Sequence, residues 1–206
     1  MTKLTILFLL SLITAAHGNV QLEARQIHAR ELMGKRYSKS VVANLEQQTD
    51  VETKILNMVT ENLPKKYKSK APEISQAIIA ESNKHGLDPY FVMAVISGES
   101  SFNPDAVGTV GEIGLMQVRR STGKWIAKLT KTKWEGKNTL KDPVQNIVLG
   151  TAYIAWLRGK FENHGQLYVA AYNMGPRSVK KAVKKKIWPK DYPKHVMKRY
   201  LAFYQE

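Results

Sequence analysis

The chain has 206 residues and no cysteine, with 32 lysines and arginines against 17 aspartates and glutamates, a formal net charge of +15. That length holds one domain with a sizeable core plus an extension, at roughly 100–200 residues per domain. The missing cysteine excludes disulfides, cysteine-ligated zinc and the acylated cysteine of a bacterial lipoprotein. The charge points to an anionic partner without choosing among nucleic acid, membrane surfaces and cell-wall polymers.

Met1-Thr2-Lys3 precedes an apolar run from Leu4 to Ala16, interrupted only by Thr5, Ser11 and Thr14, and then Ala16-His17-Gly18. A basic start, a short apolar run and small residues at 16 and 18 read as a secretory signal peptide over residues 1–18, cleaved after Gly18 or after Ala16. A spanning helix needs about 20 apolar residues, and this run is shorter. Export to the periplasm or cell envelope is expected, with no stable membrane span after cleavage. Lys3 is the only charged residue removed, so the mature chain keeps a net charge of +14.

Residues 19–70 are polar and charged and read as a helical extension and linker. Val51, Ile55, Met58, Val59 and Leu63 recur every three to four residues, the spacing of an amphipathic helix, which ends near Pro64. Lys65-Lys66-Tyr67-Lys68-Ser69-Lys70 reads as a solvated basic linker, and the domain boundary is placed there, leaving 71–206 as the catalytic domain.

From Ala71 the pattern is strongly helical. Ile74, Ala77 and Ile78 share a face, and Gly86 suits a left-handed cap. Asp88-Pro89 and Asp142-Pro143 each supply an N-cap aspartate followed by proline at the first helical position. The helix after Pro143 carries Val144, Ile147, Val148, Ile154 and Leu157 inward, and a segment from Gln166 to Tyr172 is interrupted by Gly175-Pro176. With no β-hairpin, internal repeat or long low-complexity tract evident, the expected class is mainly α.

On the helix opened by Asp88-Pro89, Val92, Val95, Ile96 and Glu99 fall at i, i+3, i+4 and i+7. A carboxyl that continues an apolar stripe is buried or sits at a cleft edge, and burial disfavours its charge. The nearby helix C-terminus acts in the same direction. Glu99 is therefore expected to have a raised pKa and to suit a general acid.

Three motifs follow in order: Glu99-Ser100-Ser101-Phe102-Asn103-Pro104, Gly114-Leu115-Met116-Gln117, and Ala171-Tyr172-Asn173-Met174-Gly175-Pro176. Each is weak alone. Together with Asp142-Pro143-Val144-Gln145-Asn146-Ile147 they resemble the soluble lytic transglycosylases of the goose-lysozyme-like superfamily, over roughly Glu73 to Tyr204.

The resemblance implies a lysozyme-like helical domain with a substrate groove, preceded by the helical N-terminal extension. It assigns the catalytic acid to Glu99 and substrate binding to Ser100, Gln117, Tyr172 and Asn173, with Asn173 also shaping the turn before Gly175. Tyr192-Pro193-Lys194-His195-Val196 is similar to the final family motif, which brings Tyr192 toward the acid. Met116 is assigned to the core. Trp125, Trp134, Trp156 and Trp188 offer flat faces for sugar rings, Trp156 being the one expected in the core.

The implied reaction cleaves the bond between N-acetylmuramic acid and N-acetylglucosamine in peptidoglycan, leaves a 1,6-anhydromuramyl end, and uses Glu99 as acid and then base, with no cofactor or metal. Anionic envelope polymers or an envelope-spanning complex are the further partners expected. The chain departs from the family at Gly108, where many members have serine; at Glu112, often alanine; and at Trp188-Pro189-Lys190, often Glu-Thr-Arg.

Three rival readings are weighed. A hydrolytic lysozyme acting by inversion needs a second carboxylate to activate water; Asp105 and Glu112 are the nearby acidic residues, and neither lies on an obvious core face. A catalytically silent peptidoglycan-binding module of an envelope complex is opposed by the intact Glu99. A nucleic-acid binder lacks a zinc motif, an RNA-binding aromatic signature or a recognition helix, so nucleic acid is not an expected partner.

Overall fold

The structure, a computed structural model, describes residues 22–44 and 50–205. The expected signal peptide lies outside the described residues. A helix over residues 22–33 (α1) leads through a 3-10 turn, Gly34–Lys39, to the single turn α2 (Val41–Asn44). Next come α3 (Val51–Asn62), a second 3-10 turn Lys65–Lys70, α4 (Ala71–His85) and α5 (Pro89–Ser100). Two short strands, β1 (Glu112–Ile113) and β2 (Val118–Arg119), precede α6 (Arg120–Thr130) and α7 (Lys137–Lys141). The chain closes with α8 (Pro143–Lys160), α9 (Gly165–Met174), α10 (Pro176–Lys184) and α11 (Asp191–Phe203). The class is mainly α, as expected.

The punctuation read from the sequence is present. Gly86 is left-handed at φ 60°, and the Leu87 N–H reaches back to Ser82 O at 2.8 Å, closing α4 with a Schellman-type bond. The Asp88 side chain accepts the Tyr90 N–H and the Asp142 side chain accepts the Gln145 N–H. Helix α3 buries Ile55, Met58 and Val59.

Two expectations need correction. Antiparallel β1 and β2 form a hairpin, Glu112 opposite Arg119 and Ile113 opposite Val118, which two-residue strands could not announce through alternation. In α8, Ile147, Ile154 and Leu157 are buried, but Val144 and Val148 are only half-buried, and Asn146, Leu149, Gly150 and Thr151 take the inner positions. That helix is packed by α4, α6 and α9, so no single stripe describes its core face.

Helix α5 lies at the centre: every residue from Pro89 to Ile96 is buried. It packs most extensively against α11, running antiparallel to it, so the start of each helix meets the end of the other. At one end the Asp88 carboxylate, fully buried, accepts hydrogen bonds from the hydroxyls of Tyr200 (2.8 Å) and Tyr204. Arg25 of α1 donates to Tyr204 Oη at 3.0 Å and has its Nε 3.7 Å from Asp88.

Helix α1, expected in an extension ahead of the catalytic domain, shares this core. His28 is fully buried; its Nδ1 accepts the Asp88 backbone N–H (2.9 Å), so Nε2 of the neutral ring carries the proton and donates to Tyr168 Oη (2.9 Å). Arg158 pairs through Nε and Nη2 with both Glu31 oxygens, at 2.7 and 2.6 Å, and donates to the carbonyls of His85 and Gly86 at the end of α4. Lys65–Lys70, read as a solvated linker, is solvated but regular, and the Tyr67 hydroxyl donates to Asp105. Packing continues across it, from α3 onto α4.

Asp88→Ala removes the acceptor of two buried tyrosines and leaves Arg25 without its counter-charge; such losses cost about 3–5 kcal/mol. A fall in Tm of the order of 10 °C is expected in thermal unfolding. Burial, helped by the charge of Arg158, holds His28 well below its ordinary pKa. Its contribution is therefore complete above about pH 6.5 and declines as the pH falls, because the unfolded chain takes up a proton that the folded chain refuses. Wild-type stability should drop by up to about 1.4 kcal/mol per pH unit from this group, and His28→Gln should flatten that slope in denaturant titrations between pH 7 and 5.

Candidate active site

Glu99 sits in the last turn of α5, where the chain leaves the helix through two left-handed non-glycine residues, Ser101 (φ 51°) and Phe102 (φ 58°). Such positions are uncommon and carry strain. Phe102 is held there by burial, its ring edge-on to Phe203 of α11 at 6.3 Å. The chain is thus turned sharply after Glu99, which leaves the carboxyl facing a groove of about 500 Å³.

The hairpin lines the groove through Glu112, Gln117, Val118 and Arg119, and the backbone of its turn, Gly114-Leu115-Met116-Gln117, is secured by side chains from three helices. Asn146 of α8 donates to Ile113 O and Leu140 O and accepts the Met116 N–H, each at 2.8 Å. Ser100 of α5 donates to Leu115 O at 2.8 Å, and Tyr172 of α9 donates to Met116 O at 2.7 Å. Gly114 takes φ 80°, and a Cβ there would lie 2.4 Å from Asn146 Nδ2, so the turn requires glycine on both counts. Leu115 and Met116 are fully buried, Met116 as expected.

Gln117 follows with φ 47° and lines the groove beside Glu99, together with Tyr172 and Asn173. The structure therefore brings together four of the six residues singled out by sequence. Ser100 is not among the lining residues; its hydroxyl donates to backbone carbonyls and ties the end of α5 to the hairpin. Tyr192, at the start of α11, approaches the acid from behind the groove and donates to Glu99 Oε1 at 2.5 Å.

Burial raises the pKa of Glu99; the Tyr192 hydrogen bond opposes that rise and the charge of Glu112 adds to it. Burial and the Glu99 charge push Tyr192 well above the ordinary tyrosine value, so it stays a donor. The arrangement can hold a carboxylic acid protonated in a polar groove and receive it as a carboxylate once its proton is given.

Sequence reasoning raised Glu112 as a second carboxylate near the groove but did not foresee Tyr153 among its lining residues. Tyr153 of α8 lies 5.6 Å from the Tyr172 ring and stacks on Trp156 (6.1 Å), its i+3 neighbour on α8, which meets Trp125 of α6. Glu112 lines the groove from β1, whereas Asp105, its rival as a second carboxylate, is bound to Lys66 and Tyr67. Trp188 stacks on His164 at 5.8 Å and does not line the groove. Among the described residues, no group of three or more His, Cys, Asp or Glu could hold a metal ion.

Comparison with known proteins identifies relatives of the chain and of its fold. A membrane-bound lytic murein transglycosylase C of Salmonella typhimurium is 36% identical over 133 residues, 60% of this chain and 36% of the relative. Lytic transglycosylase Slt of Pseudomonas aeruginosa, solved as an inactive mutant, superposes with a TM-score of 0.57 at 22% identity, over 80% of this chain and 30% of that one. The 70 kDa soluble lytic transglycosylase of Escherichia coli gives 0.55 at 23%, over 82% and 31%. These two structures share the fold, bearing out the expected lysozyme-like helical class, and the chain spans well under half the length of the curated relatives it matches. Residues 76–194, more than half of the chain, match the model of the transglycosylase SLT domain, and the chain belongs to that family.

Proposed function

We propose that this protein is a peptidoglycan lytic transglycosylase, exported to the cell envelope, with Glu99 as its single general acid and base. The observation that carries the reading is a half-buried carboxyl with a raised pKa, set in a groove and hydrogen-bonded by Tyr192. Among the described residues no helix is long and apolar enough to cross a membrane. The net charge of +15 suits an anionic wall or membrane surface.

In this reading the glycan strand lies along the groove, with Gln117, Tyr172 and Asn173 as its walls. Glu99 donates its proton to the oxygen joining N-acetylmuramic acid to N-acetylglucosamine as the bond from the anomeric carbon breaks. The muramyl acetamido oxygen and local dipoles steady the positive charge that develops. Glu99, now a carboxylate steadied by the Tyr192 O–H, takes the proton of the muramyl 6-hydroxyl, whose oxygen closes on the anomeric carbon. The acid is regenerated, no water is consumed, and the product carries a 1,6-anhydro ring. The intramolecular attack draws on effective molarities of roughly 10⁵–10⁸ M in well-oriented models.

Digestion of purified peptidoglycan should yield muropeptides one water lighter than lysozyme products, and Glu99→Gln should lower their formation by roughly 10²–10⁴-fold. Mass spectrometry that finds such ends persisting in the variant would reject Glu99, and an absence of fragments from the wild type would favour a binding module.

Tyr192 acts here as a positioning residue. Its hydrogen bond favours the carboxylate, so removing it raises the Glu99 pKa, and a bond to a charged group is worth about 1.5–3 kcal/mol. Tyr192→Phe should therefore move the alkaline limb of kcat/KM upward by about one pH unit while lowering kcat. A limb that stays in place would remove Tyr192 from this role.

A further inference from the structure

A second concavity, of about 610 Å³, shares no lining residue with the groove that Glu99 faces. It forms where the end of α1 and the 3-10 turn after it meet α9 and α11. The first two of these helices come together backbone to backbone: a Cβ on Gly165 would lie 2.4 Å from Glu31 O and 2.8 Å from Leu32 Cα, so only glycine lets them close this wall. Leu32, Met33 and Val169 line it from α1 and α9. Pro193, Met197 and Leu201 of α11, at i, i+4 and i+8, complete an apolar floor, the last two of them half-buried.

Positive charge lines the same concavity at the same spacing. Lys190, Lys194 and Lys198 also fall at i, i+4 and i+8 and run beside the apolar stripe over about 12 Å. Arg36 adds a fourth cation. All four are exposed, and among the described residues none of them is in an ion pair. Glu31, the one acidic lining residue, has both oxygens taken by Arg158. The loop that brings Lys190 here is pinned by Gln166 Nε2, which donates to Pro189 O at 2.9 Å. In that loop Trp188, half-exposed, stacks on the lining residue His164 at 5.8 Å.

An occupant of this place must be apolar on one side and anionic along its length. We propose that the concavity docks an acidic amphipathic helix of a partner protein, laid along α11 with its apolar side on the floor and its carboxylates toward Lys190, Lys194 and Lys198. A helix repeats its side chains at the three- and four-residue spacing of α11 itself, so two turns of acids on one match two turns of cations on the other. Trp188, a large ring beside the lining residues, supplies an anchor of the kind that dominates such contacts.

A phospholipid fits less well. Its charge sits at one end of its acyl chains, whereas the cations here are strung along the whole apolar stripe. The inference does not rest on the glycan-cleaving reading. A partner held on this face leaves the Glu99 groove open, so docking fixes where the protein works without occupying its site.

The probe is a fluorescent peptide of about 18 residues, five helical turns, with leucines on one face and glutamates beside them, set against a scrambled peptide of the same composition. Fluorescence anisotropy with the full chain gives the affinities, and carbodiimide coupling followed by peptide mapping records which lysines meet the glutamates. The designed helix should bind at least roughly tenfold more tightly than the scrambled one, a difference of about 1.4 kcal/mol, with links at Lys190, Lys194 and Lys198. Lys194→Glu with Lys198→Glu should weaken it at least roughly tenfold, because like charges oppose docking. Lys124→Glu with Lys128→Glu, the same change of charge on exposed positions of α6, should leave the affinity within about twofold, the size of an exposed charge's effect. Absent binding, equal binding of the scrambled peptide, links scattered over other lysines, or equal weakening in the two double variants overturns the proposal. Phosphatidylglycerol vesicles that sediment with the wild type but not with Lys194→Glu/Lys198→Glu, where the peptides show no preference, would put a lipid in place of the helix.

Discussion

The contact between α5 and α11 organises the molecule. Two helices of similar length lie antiparallel, and each end of the pair is closed by a carboxyl meeting tyrosine hydroxyls: Asp88 with Tyr200 and Tyr204 at one end, Glu99 with Tyr192 at the other. The two ends differ in their surroundings. Asp88 is fully buried and receives Arg25 besides, whereas Glu99 opens on the groove with no cation among the causes of its shifted pKa. The same pairing of groups thus serves as a fastening where a counter-charge and extra donors are supplied, and as a reactive acid where they are withheld.

The groove depends equally on a hairpin too short to stand alone. Two residue pairs cannot fix a turn, and the fold compensates by bringing Asn146, Ser100 and Tyr172 from three helices onto its backbone. The hydroxyls of Ser100 and Tyr172 are thereby committed to backbone carbonyls. What Tyr172 offers the groove is its ring, continued by Tyr153.

Much of this is written locally in the chain. Asp88-Pro89, Asp142-Pro143 and Gly86 announce helix ends because capping is decided within four or five residues, and Glu99 is marked by its place at the end of an apolar stripe. Other features depend on distant partners. Nothing around His28 signals that it will lie between Asp88 and Tyr168, 60 and 140 residues away. Glu112 reads as a loop acid until the hairpin register sets it opposite Arg119 and Gly108 leaves room beside it. Val144 and Val148 misled because a helix enclosed on several sides has no single face for periodicity to report.

The place of α1 also governs the order in which the molecule can be completed. Arg25 finds its acceptor at Tyr204, 179 residues later, and His28 finds Tyr168. The polar groups of α1 therefore stay unsatisfied until α11 is in place, and the buried carboxylate of Asp88 waits on both. Bringing α1 and α11 together over one buried charge is a long-range event, slow beside the formation of the helices themselves.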